Sequence, residues 1–133
     1  MSDAVRLTVP HAPAYYGVVR LVVGGLAARL DLSYEHVEDV QVALESLLAT
    51  DAYAAREEVT VEVSLAEGGL EILVGPLDAR RLEPDLEPEG DEAGAVGLRR
   101  VLSTLTGGFD VERRDGNEWV RMRKDVVARG NGR

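Results

Sequence analysis

The sequence contains no cysteine, and this absence excludes several kinds of chemistry at once. A chain without thiols has no disulfide framework, no thiolate nucleophile and no cysteine metal ligand. A reducing compartment suits such a chain, so we expect a cytoplasmic protein. No hydrophobic run approaches the length that spans a membrane, and the first ten residues lack the basic and then apolar order of a signal peptide. We therefore expect no membrane association.

Histidine is also scarce, because His11 and His36 are the only two and stand far apart in the sequence. A metal site or a histidine-based nucleophilic triad would need more of these side chains, or closer ones. The sequence has no Walker A motif and no dinucleotide fingerprint either. We therefore expect no metal site of a generic kind.

Basic residues are outnumbered, with 15 lysines and arginines against 24 aspartates and glutamates and a net charge of −9. Such a chain repels phosphate backbones, which argues against direct nucleic-acid binding and favours a protein partner or a small ligand. The length of 133 residues and the 45% hydrophobic content predict one domain over residues 1–133.

The longest helical pattern covers residues 33–56, with Ser33 as its predicted N-cap. Apolar residues at helical spacing predict a core-facing stripe on one side. This stripe consists of Val37, Val40, Leu44, Leu47 and Leu48. The opposite side, which would have to carry any function, consists of Asp39, Val42, Ser46, Thr50 and Tyr53. Asp51 falls within the stripe, so either the helix loosens near Thr50 or Asp51 points into a pocket.

An earlier helix is predicted from Pro13 to about Leu30, and it has two apolar sides. The side assigned to the core consists of Tyr15, Val19, Val22, Leu26 and Leu30. On the other side, Arg20 is surrounded by Tyr16, Gly17, Val23, Gly24 and Ala27. An arginine among small apolar and aromatic residues is typical of an interface centre. The alternative is a helix buried on both sides, with Arg20 reaching out to water.

Alternating apolar and polar residues predict strands at 5–9, 59–65, 70–75, 109–114 and 118–124. The last four form two hairpins, and Pro76 is expected to end the third strand. Residues 78–94 are acidic and aperiodic, which indicates either a lid-like loop or a disordered insertion. A second core helix is expected from Ala95 to Gly107, and a frayed tail at 126–133. This order predicts an α+β two-layer sandwich, a mostly antiparallel sheet with helices on one face.

The run LTVPHAPAYYGVVRLVVGGLAARLDLSYEHVEDVQVAL resembles the N-terminal half of the RsbW-like anti-sigma factors. These are serine kinases of the GHKL ATPase superfamily, which has the Bergerat fold, and the similar order of motifs extends over nearly the whole chain. The resemblance implies a dimeric cytoplasmic regulator that holds a sigma factor inactive. It would release the sigma factor when an anti-anti-sigma protein of the STAS type binds, and many such regulators phosphorylate a serine of that partner with ATP and Mg²⁺.

The catalytic residues that the resemblance implies are not matched here. The family has a glutamate base and, four positions later, an asparagine that holds Mg²⁺. When the quoted run is aligned with the family, Ser46 and Thr50 just after it stand at these two positions. Glu45 is one residue early, about 100° around the helix, so it does not simply replace the base. We expect no catalytic residue, and Glu45 takes part only if the chain is an active kinase.

The adenine-binding aspartate of the family aligns with Pro76, and Asp78 follows two residues later. Of the nucleotide motifs only the GxxGL element is retained, with Gly94 and Gly97. This glycine pair could present backbone N–H groups to a phosphate, or it could simply begin a helix. The vestigial cofactor positions are thus Thr50, Asp78, Gly94 and Gly97, and no cofactor is expected.

Three functions remain open at this point. The first is a non-catalytic anti-sigma-like regulator that binds a sigma factor, a STAS protein or both, with Tyr16, Arg20 and Val23 facing the partner. The second is an active kinase, dependent on ATP and Mg²⁺, that phosphorylates a STAS protein with altered groups such as Glu45 or Asp51. The third is a dimerisation or scaffold subunit. We favour the first, because the nucleotide motifs depart from the family at separate points of the chain.

Overall fold

A computed structural model of the chain describes residues 3–29, 32–54, 56–66, 69–82, 100, 102–103 and 106–125. Within these residues the strands are β1 (Asp3–Pro10), β2 (Glu58–Ala66), β3 (Gly69–Leu77), β4 (Gly108–Arg114) and β5 (Asn117–Asp125). The helices are α1 (Tyr16–Ala28), α2 (Tyr34–Leu48) and the short α3 (Ala79–Leu82), with 3-10 turns at Pro13–Tyr15 and Asp51–Tyr53. The strands form one antiparallel sheet in the order β1-β2-β3-β5-β4.

One face of the sheet is apolar because alternate residues of each strand point the same way. On β2, for example, Val59, Val61 and Val63 are all buried. The buried residues of α1 and α2 belong to the same core cluster as those of the sheet. The helical part of this cluster consists of Val19, Val23, Ala27, Val40, Ala43, Leu44, Leu47 and Leu48. This arrangement confirms the predicted α+β fold with helices on one face of the sheet.

The other face of the sheet carries paired charges. Arg121 binds Glu112 at 2.9 Å from Nε and Glu71 at 2.7 Å from Nη1. Arg114 binds Glu62 at 2.7 Å, also across strands. The hydrogen bond from Arg121 lowers the pKa of the Glu112 carboxyl. These partly exposed pairs each contribute little to stability, but they leave the arginines of this face matched with acids.

Both predicted hairpins are present. β2 and β3 pair along most of their length, as do β4 and β5. Asp115 and Gly116 connect the second pair and have φ values of 54° and 80°. Two central residues with positive φ match a two-residue hairpin turn, whose twist fits that of the flanking strands.

The prediction that Pro76 ends the third strand is wrong, because β3 continues to Leu77. Regular pairing with β5 is interrupted between Val74 and Leu77, so Gly75 and Pro76 together lie opposite Trp119. Such a bulge suits a proline, which has no N–H group to donate to the neighbouring strand.

The predicted core side of the first helix is only partly right. Val19 is buried as expected, but Val23 and Ala27, which were assigned to the other side, are fully buried, and Tyr15 is exposed. Both sides of this helix are apolar, so periodicity did not determine which side faces the sheet. The 3-10 turn before Tyr16 also changes the rotation per residue, since it has 3.0 residues per turn rather than 3.6.

The central helix begins as predicted, because the Ser33 side chain accepts a hydrogen bond from the N–H of His36 at 3.2 Å. It is shorter than predicted, since α2 ends at Leu48 and the chain then enters a 3-10 turn. This turn places Tyr53 at 0% exposure inside the core, so its assignment to the outer side of a continuous helix is wrong. The regular α-helix therefore ends near Thr50, which is one of the two alternatives considered for Asp51. The side chain of Asp51 itself lies outside the described part of the structure.

The predicted acidic loop begins with the helical residues of α3, and residues 83–94 lie outside the described part of the chain. Of the helix expected after Ala95, the described residues Arg100, Leu102 and Ser103 are helical, and Leu102 is fully buried. The predicted tail at 126–133 is likewise outside the described residues. None of the described helices is both long and apolar enough to cross a membrane.

Candidate functional site

Arg20 lies where α1 packs against α2. Its Nη1 donates to Oε2 of Glu45 at 2.8 Å, and its Nη2 lies 3.4 Å from Oε1 of Gln41. The Gln41 side chain donates in turn to the backbone carbonyl of Arg20 at 3.0 Å. The hydrogen bond with Glu45 raises the pKa of the arginine. The side chain keeps 39% of its surface exposed, so α2 orients the guanidinium group without covering it.

Glu45 and Ser46 lie on different sides of α2, although they are adjacent in sequence. Glu45 shares the α1-facing side of α2 with Gln41, four residues earlier. Ser46 shares a stripe with Asp39, seven residues earlier, whose carboxylate lies 3.3 Å from Nζ of Lys124 on β5. Glu45, the acid next to the expected base position in sequence, therefore binds the arginine of α1.

Thr50 closes the end of α2. Its backbone N–H and its hydroxyl both donate to the carbonyl of Leu47, at 3.0 Å and 2.8 Å. Magnesium prefers carboxylate and carbonyl oxygens, which neither Thr50 nor Ser46 supplies from its side chain. No group of three histidine, aspartate or glutamate side chains in the described part of the chain is arranged to hold a metal ion. Ser46 and Thr50 each present a single hydroxyl there, and that of Thr50 already donates to the helix backbone.

Asp78 lines an open cavity of about 480 Å³ at the end of the sheet, where β3 ends and the turn between β4 and β5 begins. Its carboxylate accepts a hydrogen bond from the backbone N–H of Arg80 at 3.1 Å and lies 3.8 Å from Nε of Arg81. Its backbone N–H donates to the carbonyl of Ala52 at 3.1 Å. The side chain of Asp78 therefore stabilises the start of α3. Gly94 and Gly97, the other vestigial cofactor positions besides Thr50, lie outside the described residues.

The predicted partner-binding residues do not form one exposed surface. Val23 has 0% exposure and belongs to the core, so its assignment to the partner surface is wrong. Tyr16 is partly buried, and its hydroxyl donates to the carbonyl of Leu48 at 3.1 Å. His11 Nε2 lies 2.9 Å from the same carbonyl. Burial raises the pKa of the Tyr16 hydroxyl, which keeps it protonated and able to hold the end of α2. Of the three residues, only Arg20 offers its functional group to a partner.

Three exposed apolar residues of α1 and α2 were not predicted from the sequence. Leu21 and Tyr34 are 77% and 78% exposed, and Val18 is 42% exposed. Tyr34 is close enough to Arg20 that its phenol, when ionised, raises the pKa of the arginine slightly. We call Arg20, Leu21 and Tyr34 the α1–α2 surface. The core stripe that the structure shows, Val19, Val23 and Ala27, leaves Leu21 outside. The sequence did not identify this stripe, because both sides of α1 are apolar.

Curated relatives of the chain carry the name serine-protein kinase RsbW, although no family model matches it. The RsbW of Oceanobacillus iheyensis is 32% identical over 113 residues, which cover 80% of this chain and 70% of that protein. The chain belongs to the RsbW family. The RsbW of Bacillus pumilus (strain SAFR-032) is 31% identical over 97 residues, and that of Bacillus subtilis (strain 168) is 32% identical over 91 residues.

The chain corresponds to only part of some members of the RsbW family. The matched residues cover 65% of this chain and 60% of the Bacillus pumilus protein, and 68% of this chain and 52% of the Bacillus subtilis protein. The family assignment confirms the resemblance seen in the sequence. The five-stranded antiparallel sheet with helices on one face is consistent with a GHKL-type fold.

Proposed function

We propose that this member of the RsbW family is a non-catalytic anti-sigma-type regulator, which binds a sigma factor, a STAS anti-anti-sigma protein or both. The position of Arg20 carries this proposal. Its guanidinium group is oriented by Glu45 yet partly exposed, and Leu21 and Tyr34 lie exposed on the same pair of helices. An arginine with large apolar neighbours is typical of residues that dominate binding energy in protein interfaces.

The partner would present a carboxylate to Arg20 and apolar side chains to its neighbours. A guanidinium group has five N–H donors, and the contacts with Glu45 and Gln41 occupy only part of them. The remaining donors can bind an acidic side chain with charge-assisted hydrogen bonds. In this proposal the protein acts in the cytoplasm, as a homodimer as the family implies, and its charge of −9 disfavours direct contact with nucleic acid.

The proposed loss of kinase activity is supported by the side chains at the expected nucleotide positions. Ser46 is a neutral group where a base is needed, and the hydroxyl of Thr50 donates to the helix backbone. Glu45, the nearest acid in sequence, is bound to Arg20. The carboxylate of Asp78, which would be the candidate to bind adenine, accepts a hydrogen bond from the start of α3 instead. Each of these groups is therefore either uncharged or already engaged.

The change Arg20→Glu tests the partner surface. We expect partner binding to weaken at least tenfold, because a charge-assisted hydrogen bond becomes a repulsion. Binding to the purified sigma factor and STAS protein of the same organism can be measured by calorimetry. Arg6→Glu is the matched control, since it makes the same charge change on the polar face of the sheet. Because exposed charges at a distance are screened, this control should alter affinity by no more than about twofold.

Two results would contradict this use of Arg20. Equal losses in both variants would mean that only the net charge matters. A lower unfolding temperature of Arg20→Glu with unchanged binding would mean that the arginine is structural. Failure of the unmodified protein to bind either partner would favour the scaffold function instead.

The alternative function is an active serine kinase, and the names of the RsbW relatives favour it. Calorimetric titration with ATP and Mg²⁺, followed by a phosphate-transfer assay on the STAS protein, distinguishes the two functions. We expect no transfer, because no described side chain at the base position can accept the serine proton. Stoichiometric phosphorylation of the STAS serine would overturn the proposed loss of activity. If that transfer disappeared in Glu45→Gln, Glu45 would be the altered base.

A further inference from the structure

The cavity at the end of the sheet contains an unusual concentration of arginine. Arg56, from the segment before β2, Arg80 of α3 and Arg113 of β4 all line it. The acids in its wall, among the described residues, are Asp78 and Glu118. These residues bring three guanidinium groups against two carboxylates, an excess of positive charge on a chain whose net charge is −9.

Two of these arginines have no counter-ion in the part of the chain that the structure describes. Within the described residues, Arg56 and Arg80 make no side-chain hydrogen bond and no ion pair, and Arg113 has only a 3.7 Å contact with Glu118. By contrast, Arg114 and Arg121 of the polar sheet face are matched with glutamates at 2.7 Å. In a chain with 24 acids and 15 bases, arginines that line a cavity with no acid partner among the described residues are unexpected from composition.

The acids of the cavity are already engaged. Asp78 accepts the backbone N–H of Arg80 and lies near Arg81, while Glu118 contacts Arg113. Neither of them makes an ion pair with the side chain of Arg56 or Arg80. The cavity volume of about 480 Å³ is within the range of small-molecule sites.

We propose that this cavity binds a small ligand with clustered negative charge, of the phosphate or carboxylate class. Arg56 and Arg80 would bind its anionic groups, because the planar guanidinium fork matches the oxygens of both classes. The side-chain amide of Asn117, also in the wall, can donate a further hydrogen bond. The site is independent of the α1–α2 surface and of the proposed regulatory function. It also differs from a nucleotide site, because the protein recognises the negative charge of the ligand and not a nucleotide base.

Calorimetric titration with sodium tripolyphosphate and with citrate tests the site, and the stronger binder identifies the ligand class. We expect saturable binding of at least one of them by the unmodified protein. Arg56→Gln and Arg80→Gln should each weaken it about tenfold, through the loss of charge-assisted hydrogen bonds. Arg6→Gln is the matched control, since Arg6 lies on β1 and does not line the cavity. It should bind as the unmodified protein does.

The same titration with ATP separates anion binding from nucleotide binding. ATP should bind no more tightly than tripolyphosphate, because the carboxylate of Asp78 is engaged by α3. Binding of ATP more than tenfold tighter than tripolyphosphate would replace the proposal with a nucleotide site. Absence of saturable binding of both anions would overturn it, as would an equal loss in Arg6→Gln. None of these results bears on partner binding through Arg20, which is measured separately.

Discussion

Replacing Tyr53 with alanine is expected to lower the free energy of unfolding by about 3–5 kcal/mol, the usual cost of removing a large aromatic side chain from a core. Tyr53 is completely buried, between the end of α2 and the sheet, and its hydroxyl donates to the carbonyl of Val74 at 3.2 Å. Burial raises the pKa of this hydroxyl well above its usual value, so it remains a donor at any pH at which the protein is studied. Chemical denaturation of the purified protein measures the loss.

Tyr53→Phe is the matched control for this change. It keeps the ring and removes only the hydroxyl, so we expect a loss of about 1 kcal/mol from the missing hydrogen bond. The difference between the two variants then measures the packing of the ring. Equal losses in both variants would show that the hydrogen bond, and not the buried ring, accounts for the contribution of Tyr53.

Replacing Gly75 with alanine is expected to destabilise the fold by about 1–3 kcal/mol, the usual cost of overpacking a core. A Cβ atom at Gly75 would lie 2.6 Å from Cδ2 of Trp119, closer than such contacts can be. Trp119 is only 6% exposed, and the guanidinium of Arg114 lies 5.9 Å from the centre of its ring. The ring therefore has little room to move, and the bulge in β3 must shift instead.

Gly25→Ala provides the opposite expectation within the same protein. A Cβ atom at Gly25 would meet nothing within 4 Å, and Gly25 lies on the exposed side of α1. Alanine in a helix is favoured over glycine by about 0.5–1 kcal/mol, so this variant should be more stable than the unmodified protein. Denaturation of both variants should give shifts of opposite sign. A stabilising Gly75→Ala would mean that the contact between Gly75 and Trp119 is not present in solution.

The pair formed by Arg20 and Glu45 connects the two functional questions. In the kinase alternative Glu45 would be the base, and in the favoured function Arg20 contacts the partner. The distance of 2.8 Å between them means that the same ion pair occupies the candidate base and orients the candidate interface residue. Its stability contribution is small, because both side chains are more than one third exposed. What matters for function is the position in which this ion pair holds the guanidinium group of Arg20.

Local signals in the sequence were sufficient for several features. Ser33 caps α2 because its side chain needs only the N–H of a residue three positions later. The turn at Asp115 and Gly116 forms because these residue types tolerate positive φ. Alternation in β2 predicted its buried valines, since side chains of a strand alternate between its faces whatever the rest of the chain does.

Other features needed the packed structure. The sequence could not show that Val23 is buried and Leu21 exposed, because both sides of α1 are apolar. It could not show that β3 passes through Pro76, since the bulge depends on Trp119, which is more than 40 residues away in the sequence. Nor could it show that Arg56, Arg80 and Arg113 line one cavity, because they come from three separate segments.

The sequence by itself predicted the fold class and the family, and it has serine and threonine at positions 46 and 50, where the resemblance implies a base and a metal ligand. These follow from residue types and from patterns a few residues long. Only the tertiary structure decided that Glu45 binds Arg20, that Tyr53 is in the core and that Arg56 and Arg80 have no counter-ion among the described residues. Those facts depend on which sides of α1, α2 and the sheet meet. That choice is made by packing the whole core and not by any local segment.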